Sequence, residues 1–229
     1  MPNRSTHDFD PRYVPFYTAT DIARLVRVNP VTLAYWSKPI SRLNQALVNR
    51  VDPSGSRSPF SFMNMIEAYV MASLRSIHGM KMSNIRRGVK WLKDHYPEQP
   101  YPLATLKVIT DGLELFVEDT GLIISATRKG QIAIRPVISP YLQRIEWAKD
   151  GLPKAFYPFT SDVKGPSLVT IDPSIQFGQP IIRHTRVKTE IIASRFEAGE
   201  SIADLSRDYD IDSSAIEEAL RCERLRKSA

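Results

Sequence analysis

Apolar residues recur at helical spacing near the start of the chain. Ile22, Leu25 and Val26 line one face of a short helix, and Thr20 precedes them in the position of an N-cap. Asn29 is placed to cap a second helix, because a proline follows it at the first helical position, where the missing N–H does no harm. Two short helices joined by a tight turn are the outline of a helix-turn-helix.

Further patterns follow towards residue 100. Residues 47–51 and Phe60 flank a polar loop at 52–58 that contains glycine, which predicts a hairpin with an exposed tip. Apolar residues then repeat along one face of a long helix over about 61–77. Ser83 is placed to cap the helix after it.

The middle of the chain changes character after a proline-rich boundary at 97–103. Short apolar runs at 113–117, 122–125 and 131–134 are separated by turn-forming residues, which predicts a small antiparallel β-meander. A helix over about 139–147 is expected to follow it.

A second boundary of linker composition lies between residues 159 and 167. Beyond it, the apolar runs 168–171 and 180–182 predict a β-hairpin. Three short helices then close the chain, over about 188–198, 201–209 and 213–225.

These patterns predict an α+β fold that is mainly helical. It comprises an N-terminal winged helix-turn-helix, a small central antiparallel β-meander, and a C-terminal β-hairpin with a three-helix, homeodomain-like module. The expected organisation is a flexible arm (1–16), a DNA-binding domain (17–98), a β-rich connecting or dimerisation region (103–159) and a C-terminal helical domain (167–229).

Charge singles out the first of these units. The chain of 229 residues has a net charge of +6, and its first hundred residues hold 14 basic and 7 acidic groups, whereas residues 151–229 hold 11 and 12. Lys and Arg neutralise DNA phosphates, and a short helix presents side chains to base edges. The candidate DNA contacts are Arg27, Asn29, Thr32, Tyr35, Lys38, Arg42, Arg50 and Arg57. The alternative is that the two helices only pack together and the arginines form a solvated face.

The sequence contains no pattern of residues that indicates an enzyme active site. A single cysteine, Cys222, excludes an internal disulfide and a multi-cysteine metal site, and no two of the four histidines have metal-ligand spacing. No cofactor, no metal and no catalytic residue is expected. No run approaches the ~20 apolar residues of a membrane helix, and the N-terminus lacks the apolar segment of a signal peptide, so we expect a cytoplasmic protein.

Residues 17–36 resemble the opening of MerR-type winged-helix regulators, and Gly55-Ser56-Arg57 falls where the wing of that family carries a Gly-x-Arg. Residues 79–85 resemble the turn and helix start that follow its third helix. Val31 and Ala34 depart from the family, whose recognition helix is often basic at these positions. This difference implies weaker phosphate contact from that helix.

Residues 171–187 resemble the signature of the domain-of-unknown-function 433 family, approximately D-P-x-I-x-x-G-x-P-x-I-x-G-T-R. Gly199 and Ser201 match its continuation, whereas His184 replaces the usual glycine. If that position has a positive φ, His184 carries backbone strain. The motif has two interpretations, which are compatible. Its residues fix a β-hairpin, or Arg183, His184 and Arg186 form an exposed polar edge that meets a partner.

Proteins of this second family include VapB-like antitoxins that join a helix-turn-helix to this C-terminal domain. The resemblance implies that the chain is a type II antitoxin that neutralises a PIN-like ribonuclease toxin and represses its own promoter. Arg183, Arg186 or Arg221 are then expected to approach an acidic toxin pocket. His184 is a further candidate for partner contact. Double-stranded operator DNA is the second expected partner, bound by a homodimer that forms through the meander and the long apolar helix. Two alternatives remain: a solitary regulator that senses a small ligand, and a protein-binding adaptor.

Overall fold

The computed structural model describes residues 9–39, 46–51, 57–78, 81–105, 109, 141–158 and 167–227. This part of the chain is mainly helical and contains two small antiparallel sheets, so the predicted α+β class is confirmed. None of its helices is long and apolar enough to cross a membrane. The N-terminal helices are α1 (Ala19–Val26), α2 (Pro30–Trp36), α3 (Phe62–His78) and α4 (Met82–His95).

The first two helices begin at specific caps. Thr18, not Thr20, is the N-cap of α1, because Thr18 and Asp21 form a reciprocal capping box. The expected cap at Asn29 is confirmed, since its Oδ1 accepts a hydrogen bond from the Val31 N–H at 2.8 Å. Arg27 ends α1 in the left-handed conformation, with φ 59°. These caps fix the tight turn between the two helices.

Helix α3 is the centre of the N-terminal core. Phe62, Met65, Ile66 and Met71 are each completely buried, and α1, α4 and β2 pack around the helix. These apolar residues are buried within their own chain, and the expected contribution of α3 to dimerisation stays a prediction. The long helix itself was correctly predicted.

The segments on either side of α3 differ from expectation. Phe60 pairs with Tyr17, not with residues 47–51, although the Val51 N–H donates to the Pro59 carbonyl at 2.8 Å. The tip of the predicted wing, 52–56, lies outside the described residues. Lys81 occupies the N-cap of α4 and makes no side-chain cap, so the expected cap at Ser83 is wrong.

A hairpin replaces the end of the helix that was predicted over 139–147. Strand β1 (Ile145–Trp147) pairs antiparallel with β2 (Pro153–Phe156), with Ile145 opposite Phe156 and an irregularity at Trp147. The burial of Ile145 and Phe156 against the N-terminal core favours the strand. The predicted meander over 113–134 lies outside the described residues.

The C-terminal module has the predicted hairpin and helices. Strands β3 (Val169–Thr170) and β4 (Ile181–Ile182) pair antiparallel. Ile182, Ile192, Leu205 and Ile216 form a separate small core. Inside it, the Thr189 hydroxyl donates to the Glu223 carboxylate at 2.6 Å. The helices are α5 (Thr189–Glu197), α6 (Ile202–Tyr209) and α7 (Ser213–Lys227).

The two modules are docked against each other. The buried Tyr17 hydroxyl donates to the Gly178 carbonyl at 2.8 Å, and the Phe16 and Phe177 rings meet edge to face at 5.3 Å. Helix α1 also packs on α7, and Phe156 pairs with Ile171. The C-terminal module is therefore anchored to the rest of the chain by both polar and aromatic contacts.

The described part of the expected N-terminal arm, residues 9–16, is held in the same way. Arg12 pairs with Asp10 at 2.7 Å and with Asp150 at 2.9 Å. The Phe16 N–H donates to the Phe60 carbonyl at 3.0 Å, and the Tyr13 and Tyr101 rings lie 5.7 Å apart. These residues are anchored to the core. Residues 1–8 lie outside the described part.

Candidate nucleic-acid and partner interfaces

One face of helix α2 is buried, and the neighbouring face, which carries both polar and apolar side chains, is exposed to solvent. Leu33 and Trp36 are buried, as their spacing predicts, whereas Val31 is 76% exposed and Tyr35 is 51% exposed. The Arg86 guanidinium lies 5.3 Å from the centre of the Tyr35 ring. A cation stacked on an exposed aromatic ring beside a short helix suits contact with a nucleic acid.

The predicted DNA contacts differ in how far their side chains are exposed to solvent. Lys38, Arg50 and Arg57 are exposed, as is Arg27 at the end of α1. The Asn29 side chain is exposed, but its Oδ1 is engaged as the cap of α2. Thr32 is half-buried. Arg42 lies outside the described residues.

Arg27, Asn29 and Thr32 share a cleft that sequence reasoning missed. The cleft has a volume of about 540 Å³, and Arg75 of α3 and Arg144 also line it, together with Trp36 and Tyr69. We call it the arginine cleft. Its cations come from residues 27, 75 and 144, which no linear motif connects. Only the folded chain brings them together.

The predicted partner edge occupies a second cleft, of about 560 Å³, between the two small sheets. Arg183, His184 and Arg186 line it together with residues of β1 and β2. The Arg183 guanidinium lies 5.2 Å from the centre of the Tyr157 ring. His184 and Arg186 are exposed, whereas Arg183 is half-buried. The structure therefore brings these three predicted residues together at one edge.

A carboxylate held by two hydrogen bonds lines the same cleft. Glu146 accepts hydrogen bonds from the Lys154 ammonium and from the Tyr157 hydroxyl, both at 2.6 Å. The bond from Lys154, followed by that from Tyr157, lowers the pKa of Glu146. Burial, followed by the bond to Glu146, raises the pKa of Tyr157 to about 12. Glu146 is therefore an anion and Tyr157 a neutral donor at neutral pH.

The residues at this edge also fix the β-hairpin, which is the other of the two interpretations of the motif. The Thr185 hydroxyl donates to the Ile182 carbonyl at 2.7 Å and accepts from the Val187 N–H at 3.0 Å. His184 has a φ of 64°, so the conditional expectation of strain at this position is met. Strained backbone at an exposed position is a frequent property of binding loops.

Replacing His184 with glycine should stabilise the protein. We expect His184→Gly to raise the free energy of unfolding by about 0.5–1 kcal/mol, because glycine adopts a positive φ without a Cβ clash. His184→Ala removes the imidazole but keeps the Cβ, so it should give no such gain. Chemical denaturation of the three proteins measures the difference. Equal stabilities of the glycine and alanine variants would show that the backbone there is unstrained.

Arg221 lies on a different surface from the other predicted partner residues. It pairs with Glu218 on α7 and lines a groove between α5 and α7, beside Phe196 and Leu220. The structure therefore separates it from the edge formed by Arg183, His184 and Arg186.

The described residues contain no group of three or more histidine, cysteine, aspartate or glutamate side chains that is arranged to hold a metal ion. Cys222 is completely buried, and burial raises the pKa of its thiol. A thiol that stays protonated is a poor nucleophile.

Comparison with known proteins covers both modules. Residues 169–221 match the model of the family described as "Protein of unknown function (DUF433)". A Mycobacterium tuberculosis protein named "Putative antitoxin VapB45" is 27% identical over an alignment 228 residues long, and the match covers 90% of this chain and 93% of that protein. The crystal structure of Rv2018 from Mycobacterium tuberculosis superposes with a TM-score of 0.73 at 28% identity, and the match covers 93% of this chain and 98% of that chain.

Proposed function

We propose that this protein is the antitoxin of a type II toxin–antitoxin pair, because it is similar to a VapB protein and carries a match to the DUF433 family. The observation that carries this proposal is the similarity to a protein named as an antitoxin over nine-tenths of the chain. In this role the protein binds and neutralises a PIN-like ribonuclease toxin. It also binds operator DNA as a homodimer and represses transcription of its own operon. No catalytic step is assigned to the antitoxin.

The toxin-binding surface that we propose is the edge formed by Arg183, His184 and Arg186. The two arginines lie beside a strained, exposed backbone position, which presents them to a partner. A ribonuclease of the PIN type binds divalent metal through acidic side chains, and guanidinium groups complement such a pocket in charge and in hydrogen-bond geometry. The bridge between Phe156 and Ile171 links the hairpin of β1 and β2 to the segment that contains β3, which pairs with β4 just before this edge.

The DNA-binding surface that we propose is the exposed face of α2 with the cations around it. Tyr35 and Thr32 would contact bases, whereas Lys38, Arg50 and Arg57 would contact phosphates. Arg27, Asn29 and Arg42 complete the proposed set. Two-fold operators match two-fold proteins, which is the reason to propose a dimer on DNA.

Removal of one phosphate-binding cation should weaken DNA binding and its salt dependence together. We expect Lys38→Gln and Arg57→Gln each to reduce the slope of log K against log salt by about 0.9 for every phosphate that is no longer neutralised. Arg207→Gln on α6 is the matched control, because Arg207 is exposed in the C-terminal module and should leave the slope unchanged. Fluorescence anisotropy with an operator duplex at several salt concentrations measures it. If all three variants keep the slope of the unmodified protein, the proposed DNA surface is wrong.

The toxin partnership is tested in cells. Expression of the neighbouring reading frame alone should arrest growth, and co-expression of this chain should restore it. A solitary regulator or a protein-binding adaptor would give no rescue. An adaptor would also show no steep salt dependence with duplex DNA, whereas a ligand-sensing regulator would change its operator affinity with a small molecule.

A further inference from the structure

Three consecutive residues adopt the left-handed backbone conformation in one turn of the C-terminal module. The φ angles are 50° at Gln176, 55° at Phe177 and 70° at Gly178. A glycine adopts this conformation freely, whereas a residue with a Cβ is strained in it, and a bulky residue rarely occurs there. Gln176 and Phe177 therefore carry backbone strain that glycine would avoid.

The end of a helix does not explain this strain. Among the described residues, five that are not glycine have a positive φ. Arg27 and Asp210 directly follow α1 and α6, where a left-handed residue commonly ends a helix. The other three follow no α-helix and lie close together in the C-terminal module: Gln176, Phe177 and His184. Strained backbone of this kind is typical of binding sites.

The strained turn presents a large apolar side chain to solvent. Phe177 is 66% exposed, although its ring meets the Phe16 ring edge to face at 5.3 Å. The contact with Phe16 therefore covers only the smaller part of the Phe177 side chain. An exposed aromatic ring on a rigid backbone is well suited to fill an apolar pocket in a partner protein.

Two hydrogen bonds hold the turn in place. The buried Tyr17 hydroxyl donates to the Gly178 carbonyl at 2.8 Å, and the Gln176 side-chain amide donates to the Arg186 carbonyl at 3.1 Å. The second bond joins the turn directly to the edge that we propose for toxin binding. Because the turn is already fixed, little conformational entropy remains to be lost when Phe177 becomes buried in a complex.

We propose that Phe177 is the apolar anchor of the toxin interface, an inference that rests on the proposed antitoxin function. The matching surface of the toxin is an apolar pocket next to acidic side chains. The charges beside the anchor suit such a surface, because the described residues that line the neighbouring cleft include three cations and two carboxylates: Lys154, Arg183 and Arg186, and Glu146 and Asp172. An aromatic anchor with polar groups around it is the usual arrangement of an interface hot spot.

Hydroxyl-radical footprinting of the unmodified chain tests the burial of this ring directly. The full chain is oxidised alone and together with the purified product of the neighbouring reading frame, and mass spectrometry measures the oxidation of each phenylalanine. Phe177 should be oxidised in the free chain and protected in the complex. Phe196, which is 42% exposed in the groove between α5 and α7, is the control and should be oxidised equally in both samples.

Substitution measures how much the ring contributes to affinity. Phe177→Ala keeps the Cβ and the strained backbone but removes the ring, so it should weaken toxin binding about thirtyfold or more. Phe196→Ala should leave the affinity unchanged. Phe16→Leu removes the aromatic contact inside the chain and keeps the Phe177 ring, so it should also leave the affinity unchanged. This last variant separates an anchor from a residue that only joins the two modules.

The outcomes separate this inference from the antitoxin proposal. If the unmodified chain binds the toxin but Phe177 is not protected, or if Phe177→Ala binds as tightly, the anchor is refuted and the antitoxin function is retained. If Phe16→Leu weakens binding as much as Phe177→Ala, the ring acts only through the contact between the modules, and the anchor is again refuted. If the unmodified chain does not bind the toxin at all, both proposals are overturned.

Discussion

Gly178→Ala should lower the free energy of unfolding by about 3 kcal/mol. The substitution strains the backbone, places a Cβ in steric overlap with a neighbouring side chain and breaks a hydrogen bond. Gly178 has a φ of 70°, in the left-handed region. A Cβ placed there would lie 2.0 Å from the Tyr17 hydroxyl oxygen and 3.1 Å from Tyr17 Cζ. Tyr17 is buried and cannot move aside without losing its bond to the Gly178 carbonyl. The overlap falls at the contact between the two modules.

Gly151→Ala is the matched control for this substitution. Gly151 has a φ of 76°, but an added Cβ would meet nothing within 4 Å. It should therefore cost only the strain of the left-handed backbone, about 1–2 kcal/mol. Denaturant titrations of both variants give the comparison. Equal destabilisation by the two substitutions would contradict the role assigned to Tyr17.

Tyr17→Phe should have opposite effects in the two backgrounds. In the unmodified protein it should destabilise by about 1 kcal/mol, because the buried Gly178 carbonyl loses its donor. In Gly178→Ala it should recover part of the stability, since the hydroxyl that overlaps the new Cβ is gone. A double-mutant cycle that shows simple additivity would place the strain elsewhere.

Glu67→Gln should stabilise the protein increasingly as the pH rises. Glu67 lies in α3 and is 2% exposed, and its Oε1 has no hydrogen-bond partner among the described residues. Burial raises its pKa to about 8, and the attraction of Lys93 opposes this only in part. The folded protein therefore keeps a proton on this carboxyl group that the unfolded chain releases near pH 4.5.

The direction of the pH dependence follows from that raised pKa. The contribution of neutral Glu67 to stability is complete below pH 4.5, and it is lost as the pH rises towards about 8. The expected decrease is about 1.4 kcal/mol per pH unit within this window. Glutamine does not ionise, so the stability difference between Glu67→Gln and the unmodified protein should grow by up to about 5 kcal/mol from about pH 4.5 to about pH 8.

Thermal or denaturant unfolding between about pH 5 and about pH 9 measures this difference. Glu217→Gln is the control, because Glu217 lies exposed on α7 and the same charge is removed outside the core. Its stability difference from the unmodified protein should stay flat where that of Glu67→Gln rises. A flat profile for Glu67→Gln as well would mean that Glu67 is already ionised in the folded protein.

Local patterns in the sequence predicted most of the helices, because caps and apolar periodicity act within a few residues. Asn29 before a proline identified the start of α2, and Ser201 caps α6 as its position implies. The predictions were wrong where the local sequence is compatible with two different caps or with two kinds of secondary structure. Thr18 and Thr20 are both plausible caps, and only the reciprocal bond of Asp21 selects Thr18. Residues 145–147 form a strand because β2 is available to pair with them.

Contacts between distant parts of the chain were beyond sequence reasoning. The bond between Tyr17 and Gly178 joins residues 161 positions apart, and no periodicity connects them. The arginine cleft likewise needs α1, α2, α3 and the turn before β1 in place. The proximity of Arg183, His184 and Arg186 was predictable, because they are close together in a recognisable motif. The separation of Arg221 from them required the fold.

The central claim, that this chain neutralises a toxin by direct binding, is tested most directly with purified proteins. The full chain is mixed with the product of the neighbouring reading frame, and complex formation and RNA cleavage are measured on the same samples. We predict a stable complex with no ribonuclease activity, and loss of both binding and inhibition when Arg183 and Arg186 are replaced by glutamine. Separate elution of the two unmodified proteins, with RNA cleavage undiminished, would contradict the account.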